Sequence, residues 1–270
     1  MGVINTGSFA KALWPGLNSW FGQSYKEWPE EYKFLFDEES SRKAYEEEVG
    51  VSGFGLAAEK SEGAGILFDE ASQSFVMRYT NKTYTLGFVI TQEMIEDNQY
   101  DISVIGKNQS RALAFSMRQT KEILAANVYN RAFDTNYTFG DGKALCVSNH
   151  PTKVGGTFSN TPTVAADLSE ASLEQACIDI AGFKNDRGLL ISVMPKTLII
   201  PKELMFEAER ILKSTLQNDT ANNALNALKS TGMFAEGAKV NHYLTDPDAW
   251  FIRTNCPDGM KYFDRVNTEF

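Results

Sequence analysis

Residues 75–90 read FVMRYTNKTYTLGFVI. Phe75, Met77 and Tyr79 alternate with Val76, Arg78 and Thr80, and after a polar break Tyr84, Leu86, Phe88 and Ile90 alternate again. A period of two carried by aromatic and β-branched residues marks a strand, because successive side chains leave opposite faces of the pleat. The stretch before it, 51–74, is VSGFGLAAEKSEGAGILFDEASQS, small, flexible and charged residues around a turn. Together they predict a hairpin from Phe54 to Ile90, each arm extending roughly 50 Å at about 3.3 Å per residue. A two-stranded ribbon alone in water is marginally stable at best. Such a ribbon must lie on something else, and a sister subunit is the natural support.

Downstream, the period changes from two to 3.6. A helix is predicted over about Ile102 to Phe133, with Leu113, Met117, Leu124 and Val128 on one stripe and Arg111, Arg118 and Glu122 opposite. Its segment 122–133, EILAANVYNRAF, has strong helix preference. At about thirty residues it exceeds the usual globular helix and suggests an architectural spine. Ser169 can cap a helix carrying Leu173, Ala176, Cys177, Ile180 and Ala181, closed by Asp186-Arg187-Gly188. A buried strand at Leu198-Ile199-Ile200 leads through Pro201 into a helix with Leu204, Ala208, Ile211 and Leu212. Strands return at 249–252 and 260–263, and the class is α+β without internal repeats.

The first fifty residues look less like a compact unit. Residues 1–24 show no stable period, and after Pro29 the run EEYKFLFDEESSRKAYEEEV reads as one acidic helix with Trp28, Tyr32, Leu35 and Phe36 as anchors. So narrow an apolar strip suits a helix packed on its own domain or an arm lying on a neighbour.

Composition excludes several classes. The 270 residues are 43% hydrophobic and 23% charged, ordinary for a globular chain. No run of about 18 apolar residues suggests a bilayer span, and the N-terminus lacks a secretory pattern. Cys146, Cys177 and Cys256 are widely spaced and odd in number, which fits a reducing cytosol and not a disulfide framework. With only His150 and His242 beside them, no pair has metal-ligand spacing, and no cofactor motif is present. A net charge of −9 with scattered cations argues against tight or sequence-specific nucleic-acid binding.

Four further strings carry a resemblance: RQTKEILAANVYNRAF (118–133), DGKALCVSNHPTKVGGTFSN (141–160), DRGLLISVMPKTLIIPKELMFEAERILKS (186–214) and LTDPDAWFIRTNCPDGMKYFDR (244–265). In this order, from about residue 75 onward, the chain resembles the major capsid proteins of tailed bacteriophages, with the Hong Kong 97 type capsid fold. The resemblance implies an N-terminal arm at 1–50 and an extended E-loop hairpin at 51–90. It further implies a peripheral domain at 91–142 and 241–270 with the spine helix, an axial domain at 143–240, and a further peripheral strand beyond Phe270. The implied function is a shell subunit without catalysis, forming hexamers and pentamers of an icosahedral shell around double-stranded DNA. Its expected partners are itself, a portal protein, a scaffolding protein and a cement or decoration protein, with assembly in the bacterial cytoplasm and no membrane. The histidine-proline and glycine-glycine stretch from His150 to Gly156 is implied to be a structural turn.

Candidate inter-subunit contacts are Trp28 and Tyr32 in the arm, Glu59, Lys60, Glu62 and Asp69 in the hairpin, Phe115 on the spine helix, and Asn222 and Asn223 in the polar loop. Lys60 also invites a lysine–asparagine crosslink, but no matching asparagine and carboxylate can be assigned. Two alternatives stand beside the capsid reading: an encapsulin-like nanocompartment shell, and a cytosolic cysteine hydrolase using Cys146 with His150. Against the second, Cys146 lies in the apolar context ALCVS, where a buried inert thiol is the default.

Overall fold

The computed structural model describes residues 7–89, 102–217 and 224–270. The chain opens with helix α1, Gly7–Glu27, although Pro15 lies inside it. It runs parallel to the spine helix α2, Ile102–Asn130. Ser110 Oγ donates to the Leu17 carbonyl at 2.8 Å, and the Arg118 guanidinium donates to the Tyr25 carbonyl at 3.1 Å. The close approach is permitted by a stripe of small residues on α2, Gly106, Ser110 and Ala114, spaced one turn apart.

That stripe corrects the expected orientation of the spine. The buried face carries Ser110, Ala114, Arg118, Glu122, Ala125, Ala126 and Tyr129. Leu113, Met117 and Val128 are only half-buried, and Leu124 is exposed. Packing against α1 overrides the amphipathic pattern, because small side chains let two backbones approach where large ones would hold them apart.

The acidic run is a second correction. Instead of one helix, residues 32–34 form a single 3-10 turn, Asp37–Ser40 forms β1 and Tyr45–Val51 forms β2. β1 lies parallel to β9, Lys261–Asp264, and β2 pairs antiparallel with β3, Gln73–Thr80. Strands win here because they bring cations across to the glutamates: Arg78 to Glu47, and Lys261 to Glu39 and Glu48. Leu35 and Phe36 enter the core at 0% and 6% exposure, so they are not anchors along a helix stripe.

The hairpin is therefore β2–β3, joined by residues 52–72, and it begins earlier than the predicted Phe54. The alternation of β3 is as expected, Met77 and Tyr79 inward and Arg78 outward. The second alternating run, described as far as Val89, forms no strand. Tyr84, Leu86 and Val89 stay exposed there.

In the second half, β4, His150–Pro151, pairs with β5, Thr157–Phe158, across a turn in which Gly155 and Gly156 take φ of +97° and +115°. Those values favour glycine, so the expected turn is present within the stretch from His150 to Gly156, after the short strand His150–Pro151. α3, Glu170–Ala181, starts at Ser169 with a reciprocal capping bond to Ser172. β6, Pro195–Ile200, is buried along almost its whole length and precedes α4, Met205–Lys213. It is the middle strand between β7, Ala238–Val240, on the parallel side and β8, Phe251–Thr254, on the antiparallel side. α5, Ala227–Thr231, completes the helices among the described residues.

β6 divides the interior. Ile199 joins a core with Leu35, Phe36, Tyr129 and Phe251, while Leu198 and Ile200 join one with Leu173, Cys177, Ala208 and Ile211. Neighbouring side chains on a strand leave opposite faces, so three consecutive apolar residues hold two cores apart and join them.

Candidate assembly surfaces

Among the described residues the hairpin loop is the longest exposed run: every residue from 53 to 73 is exposed. It reverses at Ser61–Ala64, where the Ala64 amide reaches the Ser61 carbonyl at 3.1 Å and Gly63 takes φ +79°. Glu59, Lys60 and Glu62 ring this turn. Just beyond it Ile66, Leu67 and Phe68 are 70%, 79% and 93% exposed, with Leu56 at 85% on the other arm. Leaving three consecutive large apolar side chains in water forgoes about 1.5–3 kcal/mol for each that could be buried. Sequence reading named the charges of this loop and missed these residues. The signal was there, an Ile-Leu-Phe run inside a segment otherwise built of glycine, serine and glutamate.

Asp69 has a different place from the other loop charges. It accepts the Gly55 amide at 2.8 Å and the Glu70 amide at 2.9 Å, and lies 3.4 Å from Arg187. The Gly55 amide, the nearest of these donors, leads in holding its carboxyl below the usual carboxylate range. Arg187 reaches further, donating to the Gly53 carbonyl at 3.0 Å and to the Glu70 carbonyl. Ser74 donates to Asp186 at 3.0 Å, and Lys153 lies over the Phe75 ring at 4.5 Å. At Gly140 a Cβ would come within 2.6 Å of the Val76 carbonyl, so only glycine admits the strand there.

A second candidate surface lies where α1 turns into β1. Trp28 and Phe115 are brought together, ring centroids 4.7 Å apart, each about two-fifths exposed. Tyr32, predicted beside them as a contact, is only 4% exposed and packs inside its own subunit. Around it Glu122 accepts the Tyr32 amide at 2.8 Å, Glu30 pairs with Arg118 at 2.9 Å, and Glu31 takes the His242 amide at 2.9 Å. Burial pushes the Glu122 carboxyl up to about 7, the nearby Glu31 adding to it while the Tyr32 amide and Arg118 oppose it. Asn222 and Asn223 lie outside the described residues.

No hydrogen bond joins the Cys146 thiol to His150 among the described residues. Burial pushes the Cys146 thiol up to about 11, and the His150 Nδ1 lies 2.5 Å from Asp141 instead. Among the described residues no cluster could hold a metal ion, and no helix is long and apolar enough to cross a membrane.

Comparison with known proteins places these surfaces in context. The family model described as phage capsid protein matches residues 75–269. No curated protein matches the chain. The capsid of bacteriophage JBD30 aligns with a TM-score of 0.61 at 12% identity, covering 81% of this chain and 92% of that one. The procapsid of the same phage aligns at 0.57 and 15% identity, covering 89% and 100%. The JBD30 capsid decorated with minor capsid protein trimers aligns at 0.58 and 12%, covering 81% and 92%. At such identities the likeness is one of fold.

Proposed function

Since the chain belongs to the phage capsid protein family, it is a major capsid protein of a tailed bacteriophage and part of the virion shell, and we propose that its hairpin loop straps neighbouring copies together. The observation that carries this reading is the exposed Ile66-Leu67-Phe68 run in the hairpin loop, apolar surface that nothing among the described residues covers. Copies related by rotation bury such a run heterologously, each loop on the next subunit, and closed rings of this kind give hexamers and pentamers. Trp28 with Phe115, and the loop charges Glu59, Lys60 and Glu62, are the remaining candidates at these contacts. We further propose an arm at 1–50, the loop at 51–90, a peripheral unit at 91–142 with 241–270, and an axial unit at 143–240. The central sheet spans the last two, since β6 pairs with β8.

The subunit works in this reading through interfaces, without catalysis and without a cofactor. The family is one of phage capsids, so neither the nanocompartment nor the hydrolase reading gains support, and the raised Cys146 thiol argues further against the latter. Double-stranded DNA is enclosed and not bound by sequence. A portal protein, a scaffolding protein and a decorating protein, as on the JBD30 capsid, are the expected partners, with assembly in the host cytoplasm.

Sedimentation and negative-stain microscopy of the purified chain test this. Wild-type subunits should form rings, shells or large polymers at high concentration. The Ile66→Ser, Leu67→Ser, Phe68→Ser variant should keep its circular dichroism and melting temperature but stay unassembled. Shells from the triple variant equal in yield to wild type would overturn the strap.

A further inference from the structure

Along its base the hairpin is attached to its own subunit, and the attachment is polar. The turn Asp186-Arg187-Gly188 touches both arms of the loop. Arg187 donates to the carbonyls of Gly53 on one arm and Glu70 on the other, and pairs with Asp69 at 3.4 Å. Asp186 accepts the Ser74 hydroxyl at 3.0 Å, where β3 begins. One guanidinium thus bridges the two arms where the strand ladder has ended, beyond Val51 and Gln73, and beside it the Ser52 amide donates to the Ser72 carbonyl at 2.8 Å. Gly188 takes φ of +81°, which lets the chain reverse so that Asp186 and Arg187 both face the loop.

These contacts contrast with what the rest of the loop offers. Arg187 is partly accessible to water and Asp69 is nearly half exposed, so each bond can be exchanged for a bond to water at modest cost. The apolar residues between these contacts and the turn, Ile66 to Phe68, gain only when something covers them. We infer that the turn at 186–188 is a latch, which holds the hairpin against its own subunit and restrains it until a neighbouring copy takes up the loop. The inference rests on the strap reading above for what the loop does once released. Polar bonds at the base set the resting position, and burial of the adjoining apolar run drives release.

The unassembled subunit provides the test, by hydrogen exchange followed by assembly kinetics. Arg187→Ala removes three contacts to the loop and should raise exchange at the amides of Ser52 and Gly55 by about tenfold, with the spine helix unchanged. The same variant should begin to assemble at a several-fold lower concentration than wild type. Ser74→Ala, which removes the Asp186 bond alone, should move both readouts the same way by less. Unchanged loop exchange in both variants would overturn the latch, whatever the shells do. Faster exchange with slower or lost assembly would also overturn it, since Arg187 would then serve the contact between copies. Shells from the Ile66→Ser, Leu67→Ser, Phe68→Ser variant would sink the strap instead, and the exchange readout would still report on the attachment.

Discussion

Glu122 has no exposed surface, and its carboxylate meets the amide of Tyr32 from a segment 90 positions earlier in the chain. The charges acting on it are Arg118 on its own helix and Glu31 from the segment packed against it, with Glu30 paired to Arg118. Burial raises its pKa to about 7 from an ordinary 4.5. The folded subunit therefore holds this proton more tightly than the unfolded chain. The stabilising contribution is complete below about pH 4.5 and is lost as pH rises through about 7, amounting to roughly 3 kcal/mol. Glu122→Gln keeps the acceptor for Tyr32 and removes the charge. Denaturant titrations of the unassembled subunit should find it more stable than wild type at pH 8, with a flatter profile between about pH 5 and 7.5. A wild-type profile that rises with pH over that window would rule the account out. Nothing local in the sequence announces this residue: an Arg and a Glu one turn apart read as a solvated pair. Their burial depends on a backbone amide and on α1, both distant in the chain.

At the level of elements, α1 and α2 approach through small side chains, and a Cβ on Gly106 would already lie 3.0 Å from the Leu17 methyl. Gly106→Leu places a branched side chain in that seam. Overpacking costs about 1–3 kcal/mol, only partly offset by a gain of about 1 kcal/mol in helix preference. We expect a lower melting temperature and faster proteolysis within Gly7–Glu27, with the second core, around Leu198 and Ile200, retained. A variant as stable and as protease-resistant as wild type would show that α1 does not depend on the seam. Elements whose reason is local were legible. β3 shows its period of two, α3 shows its Ser169 cap, and β6 is a short apolar run bounded by prolines. β2 was not, because Glu46, Glu47 and Glu48 suit a strand only when Arg78 and Lys261 arrive from elsewhere. α1 was obscured by Pro15, Gly16 and Gly22, and its partner stripe on the spine resembles a polar face until the helix that covers it is known.

For the whole molecule, charge sets the conditions under which copies meet. Each subunit carries a formal net charge of −9 at pH 7, so every contact in a shell forms against repulsion between like-charged bodies. The proposed strap is driven by Ile66, Leu67 and Phe68, whose burial is not screened by ions, whereas the repulsion is. The Debye length falls from about 10 Å at 0.1 M salt to about 3 Å at 1 M, which removes most of the repulsion between exposed charges on neighbouring copies. The concentration at which assembly begins should therefore fall several-fold across that range, measured by light scattering on the purified subunit. The Ile66→Ser, Leu67→Ser, Phe68→Ser variant should gain nothing from the added salt, because screening lowers a barrier without supplying attraction. If added salt instead raises the threshold, attraction between unlike charges dominates the contact. The loop charges Glu59, Lys60 and Glu62 would then be its main determinants, and the apolar run would be secondary.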